Sequence, residues 1–244
     1  MQLINGKEVF TTLDEIMRPE HTALLLIDLQ NDYMKPGGTY HEKGEESPKP
    51  YGPIPFVYSS SFSEIIPSVK SVLDAARRLN ILVVHLQMTF YPNSLAESPV
   101  EIYRQLKKLK RGNHPEDIAG KLTPYCIHGT WGWQIIDELA PKANELVVLK
   151  HRSSAFVGTN LDMLLRSNRI KSVCITGVVS TGCVLSTAID AGFYDYYCVV
   201  LEDCVAGRSG RSPDQHVAAL SIMSGRGDVS KSEKVLEIWE RNAP

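Results

Sequence analysis

The sequence lacks a long apolar run. No stretch of its 244 residues approaches the roughly 20 apolar residues that a membrane-spanning helix needs. Residues 1–9, MQLINGKEV, also lack the apolar segment of a secretory signal peptide. We therefore expect a cytoplasmic protein that makes no membrane contact.

An excess of charge of one sign is missing as well. Lys and Arg total 26 and Asp and Glu total 28, which gives a formal net charge of −2 at pH 7. A nucleic-acid-binding surface normally requires a basic excess, so nucleic acid is not an expected partner. The basic cluster at residues 107–111, KKLKR, is most simply explained as a solvated helix face or loop.

The motifs of several cofactor and metal classes are absent. There are five cysteines, and no two of them have C-x-x-C spacing, which argues against a disulfide framework or a zinc ribbon. The sequence has no G-x-G-x-x-G dinucleotide motif and no G-x-S-x-G elbow. Gly177 and Gly182 have phosphate-loop spacing, but Cys183-Val184 replaces the required Lys-Ser/Thr. We therefore expect hydrolytic chemistry without a cofactor.

What the sequence does contain is an alternation of strand-like and helical segments. The predicted strands are 23–27, 81–86, 145–149, 172–176, 197–201 and, more weakly, 227–230. The predicted helices are 65–79, 133–139, 161–166, 183–191, 213–223 and 233–239. This order predicts an α/β fold with three layers, in which helices cover both faces of a mostly parallel sheet of about six strands. One domain is expected to span residues 1–244.

Two long connections interrupt the alternation. Residues 34–62 are rich in Pro, Gly, Ser and Tyr, and residues 88–131 form the second connection. Loops of this length in a compact domain commonly serve as lids, binding loops or oligomer contacts. We interpret both as lid or insertion loops, although a disordered surface loop explains residues 41–50 equally well.

Polar side chains follow three of the predicted strands. Asp28 follows the first strand, Lys150 follows the third, and Cys183 lies in the turn after the fourth. Ligands bind beyond the carboxyl ends of the strands in an open parallel sheet, so the acid, the cation and the thiol are expected at one edge. The unpaired N–H groups at the start of a helix should also favour the thiolate form of Cys183.

These three side chains form a coherent chemical set. If burial raises its pKa, Asp28 can accept the thiol proton, and Lys150 can stabilise the thiolate. Backbone N–H groups in the turn could bind an oxyanion, which predicts acyl transfer to Cys183 followed by hydrolysis. The structural alternative makes Cys183 a packed thiol, Asp28 a turn former and Lys150 a solvated strand end.

A second enzymatic alternative pairs Cys183 with a histidine, as in papain-like proteases. The candidates are His128, His151 and His216. The sequence offers no spatial argument for any of them.

Four segments carry a resemblance to a known family. They are LLLIDLQNDY at 24–33, HGTWG at 128–132, KHRSSAF at 150–156 and GVVSTGCV at 177–184. In this order they resemble the isochorismatase-like cysteine hydrolases, which include nicotinamidases, N-carbamoylsarcosine amidases, and ureidoacrylate and biuret hydrolases. The resemblance covers about residues 20–230 and implies that Asp28, Lys150 and Cys183 are a catalytic triad.

The resemblance also implies an oxyanion hole and a substrate class. A cis peptide between Val178 and Val179 would aim the backbone N–H groups of Val179 and Cys183 at the oxyanion. The sequence looks most like the ureidoacrylate and biuret hydrolase branch, which implies cleavage of a small linear amide of ureido or carbamoyl type. The products would be a carboxylic acid and ammonia or an amine, and family members are commonly dimers or tetramers, so a homo-oligomer is expected.

Four residues are candidates for substrate binding. Tyr33 and Phe156 match pocket positions of the family. Trp131 fits either a pocket wall or a core anchor. Arg152 could hold a substrate carboxylate, and an ion pair at the surface or an interface explains it equally well.

The sequence departs from the nicotinamidase pattern at the metal site. Nicotinamidases carry an Asp-x-His…His cluster after the second strand, whereas this sequence has only His85 there. We therefore expect no metal, and His85 is interpreted as a hydrogen-bonded or pocket residue. Two alternatives remain: hydrolysis of a vinyl ether that uses the aspartate without a cysteine, and a binding protein that keeps the fold without turnover.

Overall fold

The computed structural model describes residues 1–38, 61–92, 98–103, 125–207 and 213–243. The strands are β1 Gln2–Ile4, β2 Lys7–Val9, β3 Thr22–Ile27, β4 Leu82–Met88, β5 Leu146–Lys150, β6 Ser172–Val178, β7 Tyr197–Ala206 and β8 Asp228–Ser230. The α-helices are α1 Leu13–Ile16, α2 Asn31–Met34, α3 Ser61–Glu64, α4 Ile66–Arg78, α5 Leu161–Ser167, α6 Leu185–Phe193, α7 Pro213–Ser224 and α8 Ser232–Arg241. The described residues also form two 3₁₀ turns, Pro19–His21 and Asp137–Leu139, and one π-helical turn, Ser180–Val184.

The centre of the fold is a parallel sheet of six strands in the order β5-β4-β3-β6-β7-β8. The chain runs from β3 outwards to β5, then returns to the middle at β6 and runs outwards to β8. The direction of winding therefore reverses between β3 and β6, and the loops that follow these two strands diverge. In open α/β sheets this switch point leaves a crevice in which ligands bind.

Helices cover both faces of the sheet. α4 and α8 pack against each other and against the sheet on one face, while α6 and α7 pack together against β7 and β8. Every residue of β3 and β6 is buried, which explains why these strands are continuous apolar runs instead of alternating ones. The predicted three-layer α/β architecture with a mostly parallel sheet is confirmed.

The observed boundaries extend several predicted elements. β6 continues to Val178, and β7 continues past its predicted end at Leu201, through the charged pair Glu202-Asp203, to Ala206. β7 can continue because the pairing register shifts between Ile175 and Gly177 of the neighbouring strand. The hairpin formed by β1 and β2 was not predicted, although its two-residue turn, Asn5-Gly6, with both residues at positive φ, is a strong sequence signal for a hairpin.

One predicted helix is wrong. Residues 133–139 form only the short 3₁₀ turn Asp137–Leu139. The backbone before that turn pairs with the segment after β3, because the Asn31 N–H donates to the Gln134 carbonyl and the Ile136 N–H donates to the Leu29 carbonyl. This extended pairing uses the N–H and C=O groups that a helix would need.

Most of the two predicted lid loops lies outside the described residues, namely 39–60, 93–97 and 104–124. The basic cluster at 107–111 falls within the last of these ranges. Across the part of the chain that the structure describes, no helix has the length and apolar character required to cross a membrane.

A buried polar network ties α4 to the sheet, away from the carboxyl ends of the strands. The Arg77 guanidinium donates to both carboxylate oxygens of Glu145 at 2.7 and 2.9 Å, and His85 Nε2 lies 2.9 Å from the same carboxylate. Burial opposes the charge on Glu145, but Arg77, the Lys142 N–H and His85 outweigh it and lower the Glu145 pKa to about 2. His85 is therefore a hydrogen-bonded residue of β4, and burial lowers its pKa.

This network predicts a loss of stability in acid. The stabilisation from Glu145 is fully present above its ordinary pKa of 4.5 and is lost as the pH falls towards about 2. We expect Glu145→Gln to lower the free energy of unfolding at pH 7 by about 2 kcal/mol, measured by urea denaturation. The deficit should shrink when both proteins are measured near pH 3.

The matched control for this prediction is Glu240→Gln, since Glu240 pairs with Arg78 and half of its side chain is exposed, 51%. An exposed ion pair contributes little, so the control should change the free energy of unfolding by less than about 0.5 kcal/mol. An equal effect of the two substitutions would contradict a structural role of the buried network.

Candidate active site

Asp28 is fixed at the carboxyl end of β3 by the backbone of β4. Its own backbone is in the left-handed region, with φ of 54°, and its N–H donates to the Leu86 carbonyl at 2.9 Å. Carboxylate oxygen Oδ1 accepts a hydrogen bond of 3.0 Å from the Met88 N–H. The side chain is fully buried, so the carboxylate has one defined position and orientation.

Lys150 is the last residue of β5 and reaches the same point from the edge of the sheet. It lies opposite Met88 in the parallel register, and its side chain is fully buried. The Lys150 Nζ atom is 2.8 Å from Asp28 Oδ2 and also donates to the Arg152 carbonyl at 3.3 Å. Asp28 therefore uses one oxygen for the β4 backbone and the other for the lysine.

Cys183 approaches from the other side of the switch point. It lies in the π-helical turn between β6 and α6. The predicted helix began at Cys183, whereas α6 begins at Leu185. The peptide between Val178 and Val179 is cis, as the family resemblance implies. The Cys183 thiol makes side-chain hydrogen bonds with Asp28 and Lys150, so the three predicted catalytic side chains meet.

The electrostatics of this cluster favour a neutral thiol next to an ion pair. Burial raises the pKa of Asp28, even though Lys150 lowers it. Burial and then the charge of Asp28 raise the pKa of Cys183 to about 12. The contacts with Asp28 and Cys183 outweigh the effect of burial on Lys150 and raise its pKa.

Two features of the site work against the expectation that the turn favours the thiolate form of Cys183. Burial and the negative charge of Asp28 outweigh the helix start, because both destabilise a second anion in the same place. The thiol carries its proton at neutral pH and lies beside a carboxylate that can accept it. This arrangement suits proton transfer during attack on a substrate, in place of a preformed thiolate.

Gly177 allows the two sides of the site to come together. It lies opposite Ile27 in the pairing of β3 with β6, and its φ of 113° is unfavourable for any side chain. A Cβ atom at this position would be 2.1 Å from the Ile27 carbonyl oxygen. Because Asp28 and the Cys183 turn continue from these two strands, the close approach at Gly177 sets their separation.

The segment after Asp28 also holds the HGTWG segment in place. The Gln30 side chain donates to the Trp133 carbonyl at 2.7 Å, and the Asn31 side chain donates to the Trp131 carbonyl at 2.9 Å. The Asp32 carboxylate lies under Gly132, where a Cβ atom would come within 2.3 Å of it. These contacts explain the polar residues and the second glycine of the two motifs structurally.

Two tyrosines lie close to the triad. Tyr33 is buried, and its ring meets that of Tyr125 edge to face at 5.7 Å between centroids. The two are also hydrogen-bonded, and both are coupled electrostatically to Asp28 and Cys183. Tyr33 was predicted as a substrate-binding residue, whereas Tyr125 was missed because it lies within the long connection 88–131, which has no periodic pattern.

The other predicted substrate-binding residues are placed differently. Phe156 is buried and stacks on Tyr194 at 4.9 Å, next to the start of β7. Arg152 is half-buried and donates to the His151 carbonyl at 2.6 Å. Trp131 is 50% exposed. The substrate contacts of these three residues stay predictions.

The three candidate histidines have other partners. His151 Nδ1 lies 2.7 Å from the Thr89 carbonyl, the His128 ring packs 4.6 Å from that of Trp133, and His216 Nδ1 lies 2.9 Å from Ser180 Oγ. The hydrogen bonds of Cys183 to Asp28 and Lys150 therefore favour the Asp/Lys arrangement over a papain-like pair. Among the described residues, no group of three or more His, Cys, Asp or Glu side chains is placed to hold a metal ion.

Comparisons with known proteins identify the family of this chain. A family model described as Isochorismatase domain matches residues 22–233. An isochorismatase-like hydrolase from Alkaliphilus metalliredigens is 25% identical, with a TM-score of 0.68, over 89% of this chain and 98% of that one. N-carbamoylsarcosine amidase from Thermoplasma acidophilum is 25% identical, with a TM-score of 0.61, over 87% and 96% of the two chains.

A cysteine hydrolase from Pseudomonas syringae, 21% identical with a TM-score of 0.71 over 92% of this chain and 94% of that one, shares the fold. The family model spans most of the chain and includes the positions of Asp28, Lys150 and Cys183. This protein therefore belongs to the isochorismatase-like cysteine hydrolase family.

Proposed function

We propose that this protein is an amidohydrolase that cleaves the C–N bond of a small linear amide through a thioester on Cys183. The observation that carries the proposal is the buried contact of the Cys183 thiol with the Asp28 carboxylate and the Lys150 ammonium. A buried nucleophile, a base and a cation in direct contact are difficult to explain by stability alone, because each charge loses its hydration. The similarity to N-carbamoylsarcosine amidase supports a substrate of carbamoyl or ureido type.

The first half of the proposed reaction forms the thioester. The thiol proton moves from Cys183 Sγ to the Asp28 carboxylate while Sγ attacks the carbonyl carbon of the amide. The backbone N–H groups of Val179 and Cys183 stabilise the oxyanion. The positive charge of Lys150 offsets the negative charge that the site carries during this step. The C–N bond then breaks, and Asp28 returns its proton to the leaving nitrogen, which departs as ammonia or an amine.

The second half restores the enzyme. A water molecule gives a proton to Asp28 and attacks the thioester carbonyl, with the oxyanion in the same place. The C–S bond breaks, the carboxylic acid leaves, and the proton on Asp28 returns to Cys183 Sγ. The raised pKa of Asp28 suits this role because the group must both accept and donate a proton at neutral pH.

Tyr33 and Tyr125 are the proposed walls of the substrate pocket beside the triad. Their rings offer an apolar surface, and their hydrogen bond to each other fixes the orientation of both. Because the two rings lie so close to the nucleophile, the proposed pocket suits a small planar group such as a ureido or carbamoyl group. Arg152 remains the proposed partner for a substrate carboxylate.

Replacement of the nucleophile tests the mechanism directly. We expect Cys183→Ala to lower ammonia release by at least about a thousandfold, because the covalent route is lost. The measurement is an ammonia-release screen over ureidoacrylate, biuret, N-carbamoyl amino acids, maleamate and nicotinamide. Cys198→Ala, which removes a buried thiol from β7, should keep near-normal activity.

Isochorismate belongs in the same screen, because hydrolysis of a vinyl ether by the aspartate requires no cysteine. Turnover of isochorismate that survives Cys183→Ala would contradict the proposed amidohydrolase and favour the vinyl ether alternative. A thioester adduct on Cys183, trapped with a slow amide substrate and found by mass spectrometry, would contradict a purely binding role.

The opposite effects of Asp28 and Lys150 on the thiol provide a second test. The Asp28 charge raises the pKa of Cys183 and the Lys150 charge lowers it. Asp28→Asn should therefore speed alkylation of Cys183 by iodoacetamide at pH 7 while amide turnover falls by about 10²-fold or more. Lys150→Met should slow both reactions.

Peptide mapping must assign each alkylation to Cys183, since the chain has five cysteines. If Asp28→Asn slowed alkylation and turnover equally, Asp28 would act by holding the fold, and its assignment as the base would be wrong.

A further inference from the structure

We propose that His216 is a positioning residue that holds the oxyanion-binding turn through a hydrogen bond to Ser180. His216 belongs to α7, a helix that contributes no residue to the triad. Its Nδ1 atom lies 2.9 Å from Ser180 Oγ, in the turn that links β6 to Cys183. This inference rests on the proposed function, since it assigns a role within the same acyl transfer.

Ser180 occupies a position in this turn from which it can affect the oxyanion donor. It directly follows Val179, whose N–H is a proposed oxyanion donor, and its side chain is fully buried. The Val179 carbonyl accepts hydrogen bonds from the N–H groups of Gly182 at 2.9 Å and Val184 at 3.3 Å. These two bonds lie within the turn and define its shape. The Ser180 hydroxyl connects the turn to His216 of α7.

The histidine is suited to this anchor in its neutral form. Burial lowers the pKa of His216, while Glu202 has a weaker opposing effect. In the neutral ring with its hydrogen on Nε2, Nδ1 accepts the hydrogen of the Ser180 hydroxyl. A buried hydroxyl with no partner would be costly, so the pair is expected to stay formed throughout the reaction.

The surrounding backbone is shaped to admit this pair. Gly207, which follows β7, approaches both members so closely that a Cβ atom would be 2.9 Å from Ser180 Oγ and 3.0 Å from His216 Nδ1. The contact therefore links the end of β7, α7 and the turn at one point. Movement of α7 would therefore be transmitted to the Val179 N–H through Ser180.

Two reagents for Cys183 distinguish the loss of oxyanion binding from a change in the thiol itself. Acylation by p-nitrophenyl acetate forms an oxyanion, whereas alkylation by iodoacetamide occurs at a saturated carbon and forms none. We expect His216→Ala to slow acylation of Cys183 by about 10-fold to 100-fold, less than the roughly 10²-fold to 10³-fold cost of removing an oxyanion donor, with the alkylation rate nearly unchanged. Ser180→Ala should behave in the same way, and the double variant should lose little more than either single variant.

Matched variants distinguish positioning from general damage. Val217→Ala, at an exposed residue next to His216 on α7, should leave both rates unchanged. His216→Asn keeps a polar atom near the position of Nδ1 and should restore part of the acylation rate. It also keeps the test valid if His216→Ala folds poorly.

Failure of the positioning role of His216 can be told apart from failure of the proposed amidohydrolase function. Equal slowing of acylation and alkylation in His216→Ala, or no change in either, would overturn the positioning role. A wild-type protein that releases no ammonia from any amide, yet shows selective loss of acylation in His216→Ala, would contradict the proposed substrate class and support the role of His216.

Discussion

The buried ion pair between Lys150 and Asp28 is the interaction on which the site depends. Both side chains are fully buried, and their charged atoms are 2.8 Å apart. Neither charge could remain in this place without the other, because a single buried ion would lose its hydration without compensation. The pair gives Cys183 a charged neighbour of each sign, so that the thiol stays protonated at rest and its proton has a nearby acceptor.

The topology of the sheet explains why these residues meet although they are far apart in sequence. Asp28 and the Cys183 turn follow the two strands that flank the switch point, β3 and β6. Lys150 comes from β5, at the edge, and reaches past β4 to the same carboxylate. Gly177 lets β3 and β6 approach at their carboxyl ends. The site therefore belongs to the core of the fold as much as to its surface loops.

The sequence predicts much of this arrangement because strand ends are marked by simple patterns. The apolar runs that end at Asp28 and Lys150 reveal both the sheet and the two polar residues. The protonated state of Cys183, the partner of His216 and the position of Tyr125 could not be predicted, because burial and long-range contacts decide them. Residues 133–139 show the same limit, since pairing with the segment after β3 outweighs their local helical pattern.

The hydrogen bond from the Met88 N–H to Asp28 has a consequence for how this family can be studied by mutation. The donor belongs to the main chain, so every substitution of the Met88 side chain except proline leaves it intact. An alanine scan would therefore miss this contribution, although the β4 backbone orients the base. Only an edit of the main chain itself, such as an ester in place of that amide, would expose the contribution.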